Sequence, residues 1–288
     1  MNTQAGEPRI AVLYPDNPSS YEFIYQRIID GITSRLENPI TRIAISKDTT
    51  SAGITKSLRD QDIRIVITIG QNSLLLASGL NRDIKVVAGG IQSTPDNMQL
   101  WAALSLTPDP SLIFTQAKTI LPTAKRIAVV YNDQTTGWLI RQAQEAAANH
   151  GLSLVALNAD NLKTALFMYQ DFFSKANSKH DILWLPQDKI TVNSDIVLPM
   201  VLLESWSRRI AVISNNPSHV KSGALFALYP NSYAMGQLLA DLAISGSASK
   251  SGLLPLKAAY MTINNRTANH LGLSFTPQQQ AITQIQFP

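Results

Sequence analysis

Apolar runs of five to seven residues alternate along this chain with longer stretches in which apolar side chains return every three or four positions. Runs of the first kind carry the unbroken Ile/Val/Leu content of strands covered on both faces of a sheet. They occupy residues 9–14, 41–46, 64–70 and 85–89, then 126–131, 152–157, 181–185 and 209–213. The second kind predicts helices. Ile24, Ile28, Ile32 and Leu36 line one face over residues 20–36, stopped by Asn38-Pro39. A helix after Thr50 carries Ile54 and Leu58 inward, and another carries Leu112, Ile113, Ala117 and Ile120. Leu139, Ala143, Ala146 and Ala147 make a stripe over 136–150, and Leu162, Leu166, Tyr169 and Phe173 follow an expected cap at Asp160. Residues 197–207 tolerate Pro199 only in their first turn. Met235, Leu238, Leu239 and Leu242 mark a helix over 232–245, with Gly246 as its C-cap.

One strand pattern occurs twice. Arg9-Ile-Ala-Val-Leu-Tyr14 returns as Arg126-Ile-Ala-Val-Val-Tyr131, each followed by a polar loop and a helical stretch, the opening of a βαβ unit. Two such openings predict an α/β protein of two lobes, each a doubly wound parallel sheet. Extended segments at 100–106, 223–229 and 257–263 serve as three crossovers. Lobe 1 is then expected at 9–104 with 230–258, and lobe 2 at 105–229 with 259–288. Three crossovers make a hinge able to open and close about a ligand.

Composition narrows the classes. With 45% apolar and only 15% charged residues, the chain has enough material for packed cores and is not a disordered segment. The net charge of +4 is thinly spread, and adjacent basic residues occur only in pairs such as Arg208-Arg209, so nucleic acid is not an expected partner. The absence of cysteine excludes disulfides and thiolate metal sites. No apolar stretch reaches the ~20 residues of a membrane span. Residues 1–8 lack the basic and apolar regions of a signal peptide, which leaves a cytosolic chain or a mature segment with an added Met.

Chemistry-bearing motifs are sparse. His150, His180, His219 and His270 fall in loops or at helix ends without metal-ligand spacing. Neither a Gly-x-Ser-x-Gly elbow nor a Gly-x-Gly-x-x-Gly fingerprint occurs. The small-residue loop at 245–252 lacks the glycine spacing of a phosphate loop. No cofactor, no metal and no catalysis are therefore expected.

Three longer segments carry a resemblance. Leu121-Pro-Thr-Ala-Lys-Arg-Ile-Ala-Val-Val-Tyr-Asn132 is similar to the second-lobe opening of periplasmic substrate-binding proteins of ABC transporters, in the branch that includes aromatic amino-acid binders. Ser222-Gly-Ala-Leu-Phe-Ala-Leu-Tyr229, with Tyr233 and Gly236, resembles that branch's return crossover and glycine-bearing helix. Ile263-Asn-Asn-Arg-Thr-Ala-Asn-His-Leu-Gly-Leu273 resembles its closing signature. The resemblance implies a type I periplasmic binding protein fold and a periplasmic or extracytoplasmic monomer. It implies an amino acid or similar small molecule as ligand, with an ABC permease or a membrane sensor as partner. Two segments depart from the branch. Its aromatic amino-acid binders carry a Ser/Glu/Asn-rich loop after Tyr-Asn, where this chain has Asp133-Gln-Thr-Thr-Gly-Trp138; their Asp-Asn pair is here Asp188-Lys189.

Ligands of open α/β sheets bind beyond the carboxyl ends of the strands. That rule selects the loops 14–21, 70–73, 89–94, 131–138, 186–194 and 214–218. Ser19, Ser20, Asn72, Ser73, Thr135, Thr136, Asn193 and Ser194 stand where helices should begin, as N-caps and collectively as a place for an anion. Asp188 either pairs with a ligand ammonium or serves as a helix-start acid. Trp138, with Tyr14 and Tyr21, offers flat faces, while Trp101, Trp184 and Trp206 lie in apolar runs and are expected in cores. Gln71, Gln187 and Asn215 complete the set of candidate ligand contacts. The leading expectation is a solute-binding protein for an ABC importer. A ligand-sensing module with the same fold and an α/β enzyme without a recognisable motif are the alternatives.

Overall fold

A strand buried on both faces needs aliphatic side chains pointing both ways, and Ile10, Ala11, Val12 and Leu13 are all at or below 2% exposure. The computed structural model describes residues 8–16, 22–94, 98, 100–245, 252–281 and 283–288. It divides into two compact units, Met1–Leu106 with Asn231–Ala258, and Thr107–Pro230 with Ala259–Pro288. Ser19, Ser20, Tyr21 and the C-cap expected at Gly246 lie outside the described residues.

The chain enters unit 1 with β1 (Ile10–Pro15), α1 (Glu22–Thr33), β2 (Thr41–Ile45), α2 (Ser51–Asp60), β3 (Ile65–Ile69), α3 (Gln71–Ala77), β4 (Lys85–Ile91) and β5 (Ala102–Pro108). Unit 2 follows with α4 (Pro110–Ile120), β6 (Arg126–Tyr131), α5 (Asp133–Asn149), β7 (Ser153–Asn158), α6 (Leu162–Lys175) and β8 (Asp181–Leu185). It continues through α7 (Val197–Arg208), β9 (Ala211–Ser214), α8 (Pro217–Ser222) and β10 (Phe226–Pro230). The chain then returns to unit 1 with α9 (Ser232–Ser245) and β11 (Leu253–Leu256). It closes in unit 2 with β12 (Ala259–Asn264), α10 (Asn265–Leu271), α11 (Pro277–Ala281) and β13 (Thr283–Phe287).

The sheet of unit 1 has the order β11-β5-β4-β3-β1-β2, and that of unit 2 the order β13-β12-β10-β9-β8-β6-β7. The repeated strand therefore takes the same place in each, second from one edge. β1 lies parallel between β2 and β3, and β6 parallel between β7 and β8. Its leading arginine differs in partner. Arg9 donates to the Gln61 carbonyl, whereas Arg126 makes a two-pronged pair with the buried Asp181, its direct register neighbour. β12 pairs antiparallel with β10.

In unit 1 one face of the sheet packs Ile28, Ile29 and Ile32 of α1 with Met235, Leu239 and Ala243 of α9; the other face is covered from α2 and α3. α1 and α9 approach so closely that side chains are excluded at the crossing. A Cβ on Gly31 would stand 2.0 Å from the Tyr233 carbonyl oxygen, and one on Gly236 2.0 Å from that of Ile28. In unit 2, Trp184 meets Phe114 edge to face at 5.5 Å on one side of the sheet. Tyr169, Phe173 and Val201 fill the other side from α6 and α7.

Local starts differ from expectation: asparagine, rather than threonine or aspartate, caps four helices of unit 2, while Asp109 caps α4. Asn132, Asn161, Asn216 and Asn264 each accept from a main-chain N–H in the first turn. Asp160 is thus not the cap of α6, and α5 begins at Asp133, ahead of the expected Thr136. Residues 100–106 and 257–263, expected as connecting segments, are largely strand, and residues 223–225 precede the strand that was expected to start at Gly223. Trp206 is not core: α7 buries Val197, Leu198, Val201 and Ser205, and the next position turns outward. Trp206 instead stacks flat on His270 at 3.7 Å, with Arg266 over its ring. Trp101 is half-buried beneath Lys85. Among the described residues no helix is long and apolar enough to cross a membrane.

Candidate functional site

The carboxyl ends of β6, β8 and β9 bring the polar loops of unit 2 together. Asp188 lies in the loop after β8 and is 3% exposed. Its Oδ2 accepts from the Asn132 main-chain N–H (2.8 Å) and from the Thr135 and Thr136 hydroxyls (2.9 and 2.8 Å). Its Oδ1 accepts from the N–H groups of Ile190 and Thr191 (3.0 and 3.1 Å). A carboxylate offers about four lone-pair sites, so these five donors leave it nothing for a ligand ammonium. This corrects the first expected role of Asp188. It comes nearer to the second, capping the tight turn at 188–192, where Val192 N–H also bonds the Asp188 carbonyl. The Thr191 hydroxyl adds a bond to the Val130 carbonyl, so the loop after β8 is sewn to β6 and to the start of α5.

The same network consumes the anion-binding capacity expected at α5. Asp133 N–H bonds Asn158 Oδ1, Gln134 N–H bonds Asn132 Oδ1, and those of Thr135 and Thr136 bond the Asn132 carbonyl. Each main-chain N–H from Asn132 to Thr136 therefore has an acceptor inside unit 2. Asn193, expected as a cap, accepts from Asp195 and Ile196 just ahead of α7.

Asn215 is equally internal. Its Oδ1 accepts from Trp184 Nε1 at 2.7 Å, which places an indole donor in the core without cost. Gln187 is exposed and donates to the Asn215 carbonyl. Ser214 Oγ lies 2.8 Å from His219 Nδ1 and accepts from Asn216 N–H. With Ser214 donating to the Leu185 carbonyl, the set is satisfied when His219 is neutral and carries its proton on Nδ1. Burial lowers the His219 pKa to about 4. Trp138 is half-buried and packs on the apolar layer between α4 and α5, so part of its ring belongs to the core. Tyr169 sits fully buried near Asp188; burial first, then the Asp188 charge, raises its pKa and keeps the phenol neutral.

Unit 1 is built differently at its carboxyl end. Gly70, at φ +84°, precedes α3 and provides no side-chain cap. Its N–H bonds the Gly89 carbonyl, and Gly90, at φ +68°, follows on β4. Gln71 Nε2 donates to the Ser93 carbonyl at 3.2 Å, while its Oε1 is buried without a partner. Ser73 does not cap α3: its hydroxyl is buried and unpaired, as is that of Thr68 on β3. Asn72 is exposed, and Tyr14 is half-buried against the α1 side of the sheet. Phe23, in the first turn of α1 and off the Ile24–Ile28–Ile32 stripe, is 73% exposed.

A cavity of about 160 Å³ lies instead at the amino ends of β3 and β4, lined by Arg59, Asp62, Arg64 and Asp83 among others. Arg64 is paired there with Asp62 and Asp83, and the strand-end rule favours the opposite side of the sheet. Among the described residues no group of three His, Asp or Glu side chains is placed to hold a metal.

Comparison with known proteins agrees with this architecture. A family model described as ABC transporter substrate binding protein matches residues 111–274. A tyrosine-binding protein of Clostridioides difficile is 25% identical over 193 residues, covering 66% of this chain and 50% of that protein. The chain thus spans about half the length of this curated relative. Among solved structures, the ligand-free, open form of a substrate binding protein with adhesive properties from Clostridium difficile aligns over 98% of this chain and 100% of its own. Its TM-score is 0.67 at 16% identity. The ABC domain from Streptococcus pneumonia in complex with L-Trp aligns over 98% and 100% of the two chains, with TM-score 0.57 at 14% identity. At these identities the two structures show the fold: a type I periplasmic binding protein-like pair of α/β units.

Proposed function

Because this chain belongs to the ABC transporter substrate binding protein family, we propose that it captures a free amino acid with an aromatic or large apolar side chain for an ABC importer, acting as a monomer outside the cytoplasmic membrane. The observation that carries the proposal is the family match itself. It spans the loops after β6, β8 and β9, the carboxyl-end positions where open α/β sheets take ligands. The tyrosine-binding relative and the L-Trp complex support the ligand class. Within unit 2 the buried acid and helix-start amides hold the loops in shape, leaving Trp138, Gln187 and Lys189 as partly or fully exposed groups at the rim.

The test is calorimetric titration with L-tyrosine, L-tryptophan and L-phenylalanine, preceded by native mass spectrometry of freshly purified protein to detect a co-purified solute. Binding of one of the three with a Kd on the order of 1 μM, about −8 kcal/mol, is expected. Absence of binding by all three at millimolar concentration would remove the ligand class and leave the family placement standing.

A further inference from the structure

Five buried side-chain polar atoms among the described residues have no hydrogen-bond partner, and three of them fall within six consecutive residues: Thr68 Oγ1, Gln71 Oε1 and Ser73 Oγ. Buried polar groups are otherwise paired almost throughout a folded protein, because an unmet donor or acceptor costs about 1–3 kcal/mol. Such a concentration in one turn is either a stored strain or an unfilled site. The turn lies at the carboxyl end of β3, at the positive-φ Gly70 and near the positive-φ Gly90 of β4. A Cβ on Gly90 would stand 3.6 Å from the Gly70 nitrogen.

The Gln71 carboxamide is already oriented. Its Nε2 is held by the Ser93 carbonyl, so Oε1 is a fixed acceptor with no donor. The ligand proposed above carries an ammonium group that needs an acceptor, and Asp188, the acid expected to supply one, is saturated within unit 2. We infer that Gln71 Oε1 of unit 1 accepts the hydrogen bond of the ligand's amino group, so that the ammonium is recognised by a neutral carboxamide in place of a carboxylate. This inference rests on the amino-acid reading and names the group that serves it.

Two substitutions at Gln71 separate ligand recognition from loop support. Gln71→Glu keeps an acceptor oxygen and loses the donor to Ser93; Gln71→Met keeps the length and loses both. Wild type and both variants would be titrated with L-tyrosine, L-tryptophan and L-phenylalanine, with thermal unfolding of the unliganded proteins as the control for folding. The expected result is a ten- to hundredfold weaker Kd for Gln71→Met, the worth of about one hydrogen bond to a charged group. Gln71→Glu should bind within about threefold of wild type or more tightly. If both variants weaken equally, the side chain only braces residue 93 and the inference falls. It falls equally if neither weakens, or if only Gln71→Glu does. Failure of wild type to bind any of the three amino acids removes the amino-acid reading and this inference with it, an outcome distinct from binding that ignores Gln71.

Discussion

Replacing Asp188 by alanine removes the common acceptor of five donors, and the structure says which of them can recover. The hydroxyls of Thr135 and Thr136 already lie 3.2 Å from the Asn132 carbonyl and can turn to it. The main-chain N–H groups of Asn132, Ile190 and Thr191 cannot move without moving their loops. At roughly 1–2 kcal/mol for each stranded donor, Asp188→Ala should destabilise unit 2 by about 3–6 kcal/mol, a large part of a domain's stability. Asp188→Asn keeps one oxygen but presents an amide to donors, and should lose about half as much. Urea unfolding of the ligand-free protein at pH 7, followed by circular dichroism, measures both. The opposite role makes an opposite forecast: an acid reserved for a ligand cation would sit buried and unpaired in the empty protein, and removing it would be neutral or stabilising. A loss below about 1 kcal/mol for Asp188→Ala refutes the assignment of this carboxylate as a loop clamp.

Three further outcomes are expected. Gly236→Ala forces a Cβ to 2.0 Å from the Ile28 oxygen and 2.9 Å from the Ile32 nitrogen, both main chain, so unit 1 should lose about 3 kcal/mol or more in a denaturant titration. Tyr169→Phe removes a buried, unpaired hydroxyl and should leave the unfolding midpoint unchanged or raise it; a drop worth more than about 1 kcal/mol would reveal a bridging water. His219 has a folded pKa of about 4 against roughly 6.5 unfolded, so the stability it contributes is complete above pH 6.5 and is lost as pH falls towards 4. The loss over that window is about 3 kcal/mol, and the stability–pH slope of His219→Gln should be shallower by about one proton's worth.

Period and run length were enough to place most elements, because a strand covered on both faces and a helix with one apolar stripe leave different spacings. The Ile24–Ile28–Ile32 stripe and the doubled Arg-Ile-Ala-Val strand needed no tertiary information. Trp206 shows where the method stops: α7 is apolar nearly all round, and only the three-dimensional packing decides that Ser205 turns inward and Trp206 outward. The candidate site was legible as a set of loops but not as a set of roles. Asp188 is committed by a donor 56 positions away, and Trp184 meets Asn215 across 31. Gln71 is notable for the partner it lacks, which no local spacing encodes. Capping was misplaced for a simpler reason: Asn161 stands beside Asp160, and Asn132 shortly before Thr135 and Thr136, residues that compete for the same role on propensity alone.

The meeting of α1 with α9 has a consequence for how the protein is made. Gly31 faces Tyr233 and Gly236 faces Ile28 across a helix pair whose two members are encoded on either side of residues 107–230. When β5 leaves the ribosome, the sheet face bearing Val12, Ile67 and Leu104 still lacks Met235, Leu239 and Ala243. At 5–20 residues per second the missing helix arrives on the order of ten seconds later, by which time all but the last segment of unit 2 has been synthesised. That apolar face of unit 1 therefore stays uncovered for as long as residues 107–245 take to be synthesised.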